Sequence, residues 1–331
     1  MSTSYHIIKL TFHTPLHIGL GKDNYDFSSS ELHADALTAA LASVRATNGK
    51  TEDLEKFLQS FTLSSAFPFH KEEYFLPKPV GRIPVKVKNQ EETAYRKGLK
   101  GIKFIEKSIW EQMMKGEEVT VEQEQIQGDF LVNGKKGFEK PYQHQISQRV
   151  AVCRNEDEDA LPFFFDWTYF NQDCGFYCLT DAKGDLFSEL VNLFSELGEN
   201  GIGSDRNVGG GHFTVTTATL DLSVCSDAQH LMLLSPYIPT VEEHQKLNWT
   251  DSKFNMILRG GYMAGSNDEC CRHLWKRSVY MVNEGSILTG IQQIKGKVVD
   301  LSPQETTEIK SPHPVYRSGR PFYLPVKMKE A

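Results

Sequence analysis

Apolar and polar positions change their spacing several times along this chain, and each spacing predicts a different element. Near the start, Ile8, Leu10 and Phe12 alternate with polar residues, which is typical of a half-buried strand. Three segments have apolar residues at the spacing of one helix face and are predicted helices: 33–44, 51–60 and 185–198. Four short segments predict strands or extended pieces: 64–69, 74–79, 176–179 and 213–216.

The order of these elements predicts the fold class. Strand, helix, two strands, helix and strand follow one another, which is the β-α-β-β-α-β order of a ferredoxin-like (RRM-like) domain. We therefore predict an α+β protein whose first domain covers residues 1–222, with an insertion at about 86–148. After Leu222 the pattern restarts, with strands predicted at 230–234, 279–282 and 322–326 and a short helix at 240–247. A second, more divergent ferredoxin-like domain is predicted over residues 223–331.

The insertion contains a signal for a projecting β-hairpin, which we call the thumb. Residues 133–137, Asn-Gly-Lys-Lys-Gly, form a turn signal between a strand candidate at 119–121 and a return through 145–152. Lys135 and Lys136 would lie at the thumb tip, and Arg149 would lie on the strand that returns to the core. The aromatic run at 163–170 is predicted to fill the core.

The most unusual segment is the glycine loop, residues 201–211, which contains five glycines and Arg206. It follows a helix and precedes a strand, so it has the wrong order for a dinucleotide-binding fingerprint, and no Gly-Lys-Ser/Thr follows to make a P-loop. Glycines permit positive φ and expose N–H groups, which can form a concave anion site. The loop is therefore predicted to contact a polyanion such as a phosphodiester backbone. The alternative is a flexible connection in which glycine only lets the chain reverse.

Charge is distributed unevenly along the 331 residues. The formal net charge of −7 argues against a protein that attracts nucleic acid through its overall charge. Residues 78–103, however, contain eight basic and two acidic residues, and residues 310–329 contain five basic residues and no acidic one. These stretches predict either a stripe that holds nucleic acid or lysines on a solvated face.

Other composition features exclude some classes of protein. The six cysteines form no Cys-x-x-Cys pair, so neither a zinc site nor a disulfide scaffold is predicted. We expect no metal and no cofactor. The first residues lack the pattern of a signal peptide, and no run of 18 apolar residues is present, so we expect a cytoplasmic protein with no membrane partner.

Several motifs, taken together and in order, resemble a known family. They are LTF at 10–12, PLHIG at 15–19, HADALTAAL at 33–41, FPF at 67–69, YFLPKP at 74–79, GIGSDR at 201–206 and GGG at 209–211. The set looks like the fourth subunit of the Csm effector complex of type III-A CRISPR systems, a RAMP protein. The usual helix motif has serine where this chain has Ala34. The resemblance extends from about residue 5 to residue 326.

This resemblance implies a fold, a set of partners and a function. The fold would be two ferredoxin-like domains with a β-hairpin thumb. The subunit would bind the 5′ repeat-derived tag of the crRNA, contact the large polymerase-like subunit and the first backbone RAMP subunit, and meet target RNA only indirectly. It would be a binding subunit with no catalytic residues. The predicted RNA contacts are His17, Gly19, Gly21, Lys135, Lys136, Arg149, Gly201, Gly203, Ser204, Arg206, Asn207, Gly209, Gly210 and Gly211.

Two other functions remain open at this level. Related RAMP endoribonucleases cleave precursor crRNA without metal and use a histidine near the first helix, which makes His17 and His33 the candidates for acid–base catalysis here. Neither has a partner nearby in the sequence. A pure protein–protein scaffold, whose lysines never contact RNA, is the third possibility.

Overall fold

The computed structural model describes residues 2–19, 25–134, 138–152, 160–223, 225, 227–263, 274–303, 311 and 313–327. The elements up to residue 223 are β1 (Ser2–Phe12), α1 (Ala34–Thr47), α2 (Leu54–Ser60), β2 (Phe67–His70), β3 (Glu73–Pro77), β4 (Val85–Val87), α3 (Glu92–Gly101), β5 (Phe104–Glu106), α4 (Lys107–Met114), β6 (Val119–Val121), β7 (Ile126–Gln127), β8 (Phe130–Leu131), β9 (Tyr142–Ala151), β10 (Leu161–Phe170), β11 (Cys174–Thr180), α5 (Gly184–Asn200) and β12 (Phe213–Ser223). The remaining elements are β13 (His230–Leu233), α6 (Val241–Lys246), β14 (Met256–Arg259), β15 (Val279–Val282), β16 (Ile287–Thr289), β17 (Lys297–Asp300), β18 (Tyr316–Gly319) and β19 (Tyr323–Val326).

An eight-stranded mixed sheet organises the first two thirds of the chain, in the order β12-β1-β11-β2-β3-β5-β8-β7. Strand β1 lies between β11 and β12 and pairs antiparallel with both. Ile7 and Ile8, which point to opposite faces of β1, are both fully buried, so this strand is covered on both faces. The sequence had predicted a half-buried strand. Helices α1 and α5 pack against each other, and α5 packs against β12.

The predicted α+β class and the three helices predicted before residue 200 are confirmed. The helix predicted at 33–44 is α1, that at 51–60 is α2, and that at 185–198 is α5. Their apolar faces join one large core cluster through residues such as Leu37, Phe57 and Phe194. None of the described helices is long and apolar enough to cross a membrane.

The predicted thumb hairpin is wrong in its pairing. Strand β6 pairs in parallel with β4, whereas β9 pairs antiparallel with β10 over ten residues, from Tyr142 with Phe170 to Ala151 with Leu161. Arg149 thus belongs to this two-stranded ribbon and does not return to the core. Strand β9 is mostly polar and exposed, so it lacks the apolar alternation by which a strand is detected in a sequence.

The described part of the C-terminal third has several small sheets. Strands β16, β13 and β19 form one sheet, β14 pairs with β15, and β17 pairs with β18. Leu233, Tyr237 and Leu288 form the centre of a second, smaller core. Between residues 227 and 327, helix α6 is the only helix in the described ranges, so the β-α-β-β-α-β order is not seen in this part.

A buried carboxylate joins this third of the chain to α1. Asp35, in the first turn of α1, is 1% exposed, and its Oδ2 accepts hydrogen bonds from Arg259 of β14, at 2.8 Å, and from Arg317 of β18. Burial by itself raises the pKa of Asp35, but the charges of Arg317 and Arg259 outweigh burial and lower this pKa to about 2. Beside it, His33 Nδ1 lies 2.6 Å from Glu284 Oε1. Burial lowers the pKa of His33, and the stronger combined effect of Glu284 leaves it raised.

We expect Asp35→Asn to lower the free energy of unfolding by about 3 to 5 kcal/mol, because the guanidinium of Arg317 would stay buried without a counter-charge. The measurement is urea unfolding at pH 7. Because the folded-state pKa is lowered to about 2, the stabilisation is complete above the unfolded-state pKa and is lost as pH falls through 2. The difference in the free energy of unfolding between the wild type and Asp35→Asn should therefore shrink in acid.

Asp53→Asn is the matched control, since Asp53 forms an exposed pair with Lys56. This control variant should lose less than about 1 kcal/mol of the free energy of unfolding. Equal losses at both positions would contradict the role of Asp35.

Candidate nucleic-acid interface

The glycine loop connects α5 to β12 and is closed at its base by backbone hydrogen bonds. Ile202 N donates to Gly211 O at 3.0 Å, and Gly211 N donates to Pro15 O at 2.8 Å. Gly211 has φ of +73°, and a Cβ there would lie 1.9 Å from Ile202 O, so only glycine fits. The base of the loop is therefore a fixed turn and not a flexible connection.

The loop also lies directly against the turn that follows β1. Ser204 N donates to His17 O at 2.9 Å. Gly203 has φ of +91°, and a Cβ there would lie 2.4 Å from the same carbonyl oxygen. The tertiary structure thus brings together the loop and the His17 turn, which are almost 190 residues apart in the sequence and were both predicted to contact RNA.

The tip of the loop remains open to solvent. Its predicted site residues divide into buried Gly201, Gly210 and Gly211, half-buried Ser204, and exposed Gly203, Arg206, Asn207 and Gly209. The amides of Val208, Gly209 and Gly210 donate to carbonyls within the tip. Within the described ranges, the amides of residues 205–207 have no acceptor.

Because only the tip of the loop is exposed and has free amides, the anion site is smaller than the sequence predicted. Asp205 has φ of +60° and is left-handed, and the short 3-10 turn Arg206–Val208 follows it. Successive residues of opposite handedness direct neighbouring N–H groups into one concavity, which suits an anion. The tip therefore offers the amides of residues 205–207 and the Arg206 side chain, and not the whole loop.

Arg149 connects the ribbon to the loop. Its Nη1 lies 2.6 Å from Asp205 Oδ2, and its guanidinium lies 4.4 Å from the ring centre of Phe165 and 5.1 Å from that of Trp167. The charge of Arg149 is thus compensated by Asp205, and its side chain is stacked on two rings. In this arrangement Arg149 positions the left-handed residue that begins the exposed turn.

His17 is an internal residue. It is 1% exposed, its Nδ1 lies 2.7 Å from the carbonyl oxygen of Asp166, and its ring centre lies 4.4 Å from that of Phe165. Its side chain therefore supports the base of the ribbon, while its own carbonyl holds the loop. Gly19 is exposed beside it. The predicted site residues Gly21, Lys135 and Lys136 lie outside the described residues.

The sequence analysis missed a buried polar cluster at the base of the ribbon. Asp166 is 4% exposed, and its Oδ2 accepts a hydrogen bond from Ser28 N at 2.8 Å and lies 3.0 Å from His144 Nδ1. The Ser28 hydroxyl in turn lies 3.2 Å from that of Thr168. The sequence did contain one signal of this cluster, which is Asp166 within the aromatic run at 163–170. An acid is buried among aromatic residues only when it is paired with a polar group.

The aromatic run is only partly core. Phe165 and Trp167 are buried, as predicted, but Phe164 is 57% exposed. Across the ribbon, Ile146 and Val150 are 59% and 55% exposed. Phe164 pairs with Gln148, which lies between Ile146 and Val150 on β9, so these side chains share one face of the ribbon. That face presents apolar surface to solvent.

Three of the eight basic residues at 78–103 are paired with acids. Lys86 pairs with Glu118, Lys88 Nζ lies 3.4 Å from Glu122, and Lys103 Nζ lies 3.7 Å from Glu31. Burial lowers the pKa of Lys78, and so does Lys100. These pairs favour the interpretation of a solvated face over that of a continuous positive stripe for this stretch.

Comparison with known proteins finds solved structures of similar fold. The chain is similar, at 19% identity and a TM-score of 0.61, to a chain in the crystal structure of a Csm1–Csm4 cassette in complex with cA4, covering 99% of this chain and 100% of that one. It is also similar to a chain of a Csm3–Csm4 subcomplex from a type III-A CRISPR-Cas interference complex, at 18% identity and a TM-score of 0.60, covering 98% and 100%. These likenesses show that this chain shares its fold with chains of the Csm1–Csm4 cassette and of the Csm3–Csm4 subcomplex.

Sequence comparison shows similarity to one particular protein, Csm4. Residues 226–326 match the model of the CRISPR Csm4 C-terminal domain. The chain is 22% identical over 302 residues to the CRISPR system Cms protein Csm4 of Thermococcus onnurineus (strain NA1), covering 89% of this chain and 90% of that protein. The resemblance to Csm4 that the sequence motifs indicated is confirmed by both of these matches.

The contact between Gly203 and His17 O can be tested with two alanine variants. Gly203→Ala should destabilise the protein by roughly 2 to 4 kcal/mol, because it combines strained φ with a clash against backbone. Gly209→Ala, at φ of +88° with no atom within 4 Å of the added Cβ, should cost only about 1 to 2 kcal/mol.

Urea unfolding gives the two losses, and hydrogen exchange of the Ser204 amide reports the contact itself. Exchange should accelerate in Gly203→Ala and not in Gly209→Ala. If the two variants lost the same stability and showed the same exchange of the Ser204 amide, the loop would not depend on the close contact between Gly203 and His17 O.

Proposed function

We propose that this chain is a non-catalytic RNA-binding subunit of a type III-A CRISPR effector complex, in which it holds the 5′ repeat-derived tag of the crRNA. One observation carries the proposal: the exposed tip of the glycine loop, the His17 turn and the base of the ribbon meet at a single place. The ion pair between Arg149 and Asp205, at 2.6 Å, joins two of these elements, and the bond from Ser204 N to His17 O, at 2.9 Å, joins the third.

The loop tip would hold the backbone of the RNA. A phosphate can accept hydrogen bonds from the amides of residues 205–207, and Arg206 adds a positive charge that no described carboxylate compensates. Contacts of this kind fix the position of a strand and carry no sequence information. The loop would therefore anchor the tag by its backbone.

The ribbon would act as the thumb and contact the bases. Its exposed Phe164, Ile146 and Val150 offer an apolar face on which unpaired bases can stack, as single-stranded RNA commonly does on aromatic side chains. In this proposal the thumb is β9–β10, and the part of the chain up to residue 223 is a ferredoxin-like domain.

The assembly partners are proposed from the likeness to Csm4. Solved relatives of similar fold come from a Csm1–Csm4 cassette and a Csm3–Csm4 subcomplex. By analogy, this chain would bridge the large polymerase-like subunit and the first backbone RAMP subunit in the cytoplasm, and target RNA would be reached only through the guide. Specific recognition would come from base pairing in the guide, so a subunit that reads mainly the RNA backbone suffices.

Arg206→Gln should weaken binding of a single-stranded tag RNA to the full chain whatever its sequence, because the lost contact is to a phosphate. Each such contact contributes about 0.7 to the slope of log affinity against log salt for single strands. We expect the slope to fall by about that amount, measured by fluorescence anisotropy in a KCl series.

Lys246→Gln, an exposed lysine in α6, is the matched control and should leave both affinity and slope unchanged. RNA affinity that is absent, or independent of salt in the wild type, would favour the protein–protein scaffold instead.

The absence of catalysis is tested by incubating the chain with repeat RNA in EDTA, where we expect the RNA to remain intact. The two histidines proposed for cleavage are poorly placed, since His17 is buried and His33 is paired with Glu284 at 2.6 Å. His144 is the better candidate, because it is 37% exposed and lies 3.0 Å from the buried Asp166. Cleavage that is lost in His144→Ala would overturn the non-catalytic assignment.

A further inference from the structure

Strand β12 ends the eight-stranded sheet on one side, so only one of its two edges is paired. It pairs with β1 in continuous register over all eleven residues, from Phe213 with Phe12 to Ser223 with Ser2. The strand at the other end of the sheet, β7, has only two residues. The sheet therefore has one short edge and one long, regular edge, and the long one is the outer edge of β12.

The register shows which backbone groups of β12 point outward. His13 N donates to His212 O at 2.9 Å, and this pair lies one position beyond the ladder of β1 and β12. Hydrogen-bonded and non-hydrogen-bonded pairs alternate along an antiparallel ladder, so the residues of β12 that bond to β1 have even numbers. The N–H and C=O groups of the residues with odd numbers point away from β1. Ser223 agrees with this assignment, because its N donates outside the sheet, to Glu111 Oε1 at 2.8 Å.

Four of these outward positions have no backbone hydrogen-bond partner in the part of the chain that the structure describes. They are Val215, Thr217, Thr219 and Asp221. Val215 is half-buried and the other three are exposed. Helix α5 covers the face of the sheet and not this edge, since the ring of its Phe187 stacks on that of His6, at 4.6 Å, while Thr219 beside His6 stays exposed. The edge thus presents four donors and four acceptors along one line.

The residues of β12 lack the features by which soluble proteins protect such an edge. Lysine, proline, a bulge or a covering segment normally keeps a long edge strand from pairing with another chain. Residues 213–223 contain no basic residue and no proline, and Asp221 is their only charge. Four of them are threonines, which favour the extended conformation. The edge is therefore suited to receive a further strand.

The chemistry of the edge selects its occupant. Donors and acceptors that alternate with the period of a strand are matched by the backbone of another extended segment, which adds to the sheet as a further strand. A second copy of this chain is a poor match, because each copy has a net charge of −7 and neither β12 has a cation to pair with Asp221. An unlike chain with a basic residue opposite Asp221 fits both the backbone and the charge of the edge.

We propose that the outer edge of β12 is a protein–protein interface, at which a neighbouring subunit of the complex adds an extended segment with a basic residue opposite Asp221. The inference rests on the proposed function, because it assumes that the chain is assembled with other subunits. Strand β12 begins two residues after the glycine loop, so the added strand would lie beside the proposed site for RNA. RNA and protein would then meet the chain at adjacent surfaces.

Hydrogen exchange at residue resolution tests the proposal, with the full chain free and assembled with its Csm1 and Csm3 neighbours, separately and together. In the free chain, the four outward amides should exchange fast, and the amides of Thr216, Ala218 and Leu220 should exchange slowly, because only these bond to β1. Assembly with the subunit that supplies the strand should slow the outward amides, so that the alternation disappears.

Thr217→Pro removes one outward donor and leaves the bonds between β12 and β1 in place, because proline is tolerated where the N–H of an edge strand faces solvent. The affinity for the subunit that protects the edge should fall about 5- to 150-fold, because the added strand is left with an unpaired carbonyl. Thr217→Val keeps the N–H, so it is the matched control and should bind as the wild type. The melting temperature of Thr217→Pro should stay well above that of Thr216→Pro, whose proline removes a bond to β1.

Several results would contradict the inference. If the chain assembles and its outward amides still exchange fast in every assembly, or if Thr217→Pro binds as tightly as Thr217→Val, the edge is not an interface and the proposed function stands. Slowing of the outward amides by tag RNA alone would show that the edge binds nucleic acid instead. Slowing in the free chain at high concentration would show pairing of two copies. If the chain neither assembles with these subunits nor binds RNA, the proposed function itself fails.

Discussion

The close approach of the glycine loop to the backbone of the turn after β1 is the constraint on which the candidate interface depends. Gly203 lies so near His17 O that a Cβ would be 2.4 Å away, and Ser204 N bonds to the same oxygen. Because the base is fixed in this way, the residues beyond it are displayed on the surface. Asp205 then bonds to Arg149 of the ribbon, so the loop, the turn and the ribbon form one unit.

Local geometry, and not overall charge, gives this acidic protein its candidate surfaces for RNA. The chain has a net charge of −7, and several lysines of its most basic stretch face glutamates. Positive charge that no described carboxylate pairs with remains at particular places, such as Arg206 at the loop tip. An acidic protein can bind a polyanion if such sites are displayed together with amides or aromatic rings.

The ion pairs of Asp35 have a structural role at the contact between α1 and the C-terminal third. Asp35 is needed to keep the guanidiniums of Arg317 and Arg259 in place, because a buried charge without a partner is strongly unfavourable. This buried cluster thus holds α1 to the C-terminal third.

The sequence by itself determined the elements whose signals are local. Helices α1 and α5 have regular apolar spacing, and the glycine loop is marked by composition, so their positions were predicted. The motifs also indicated the Csm4 family. Only the tertiary structure decided which segments meet. The pairing of β9 with β10, the contacts of the buried Asp166 and the ion pairs of Asp35 depend on residues that are not neighbours in the chain. Polar contacts of this kind leave no periodic pattern, because a buried charge is recognised by its partner and not by its neighbours in sequence.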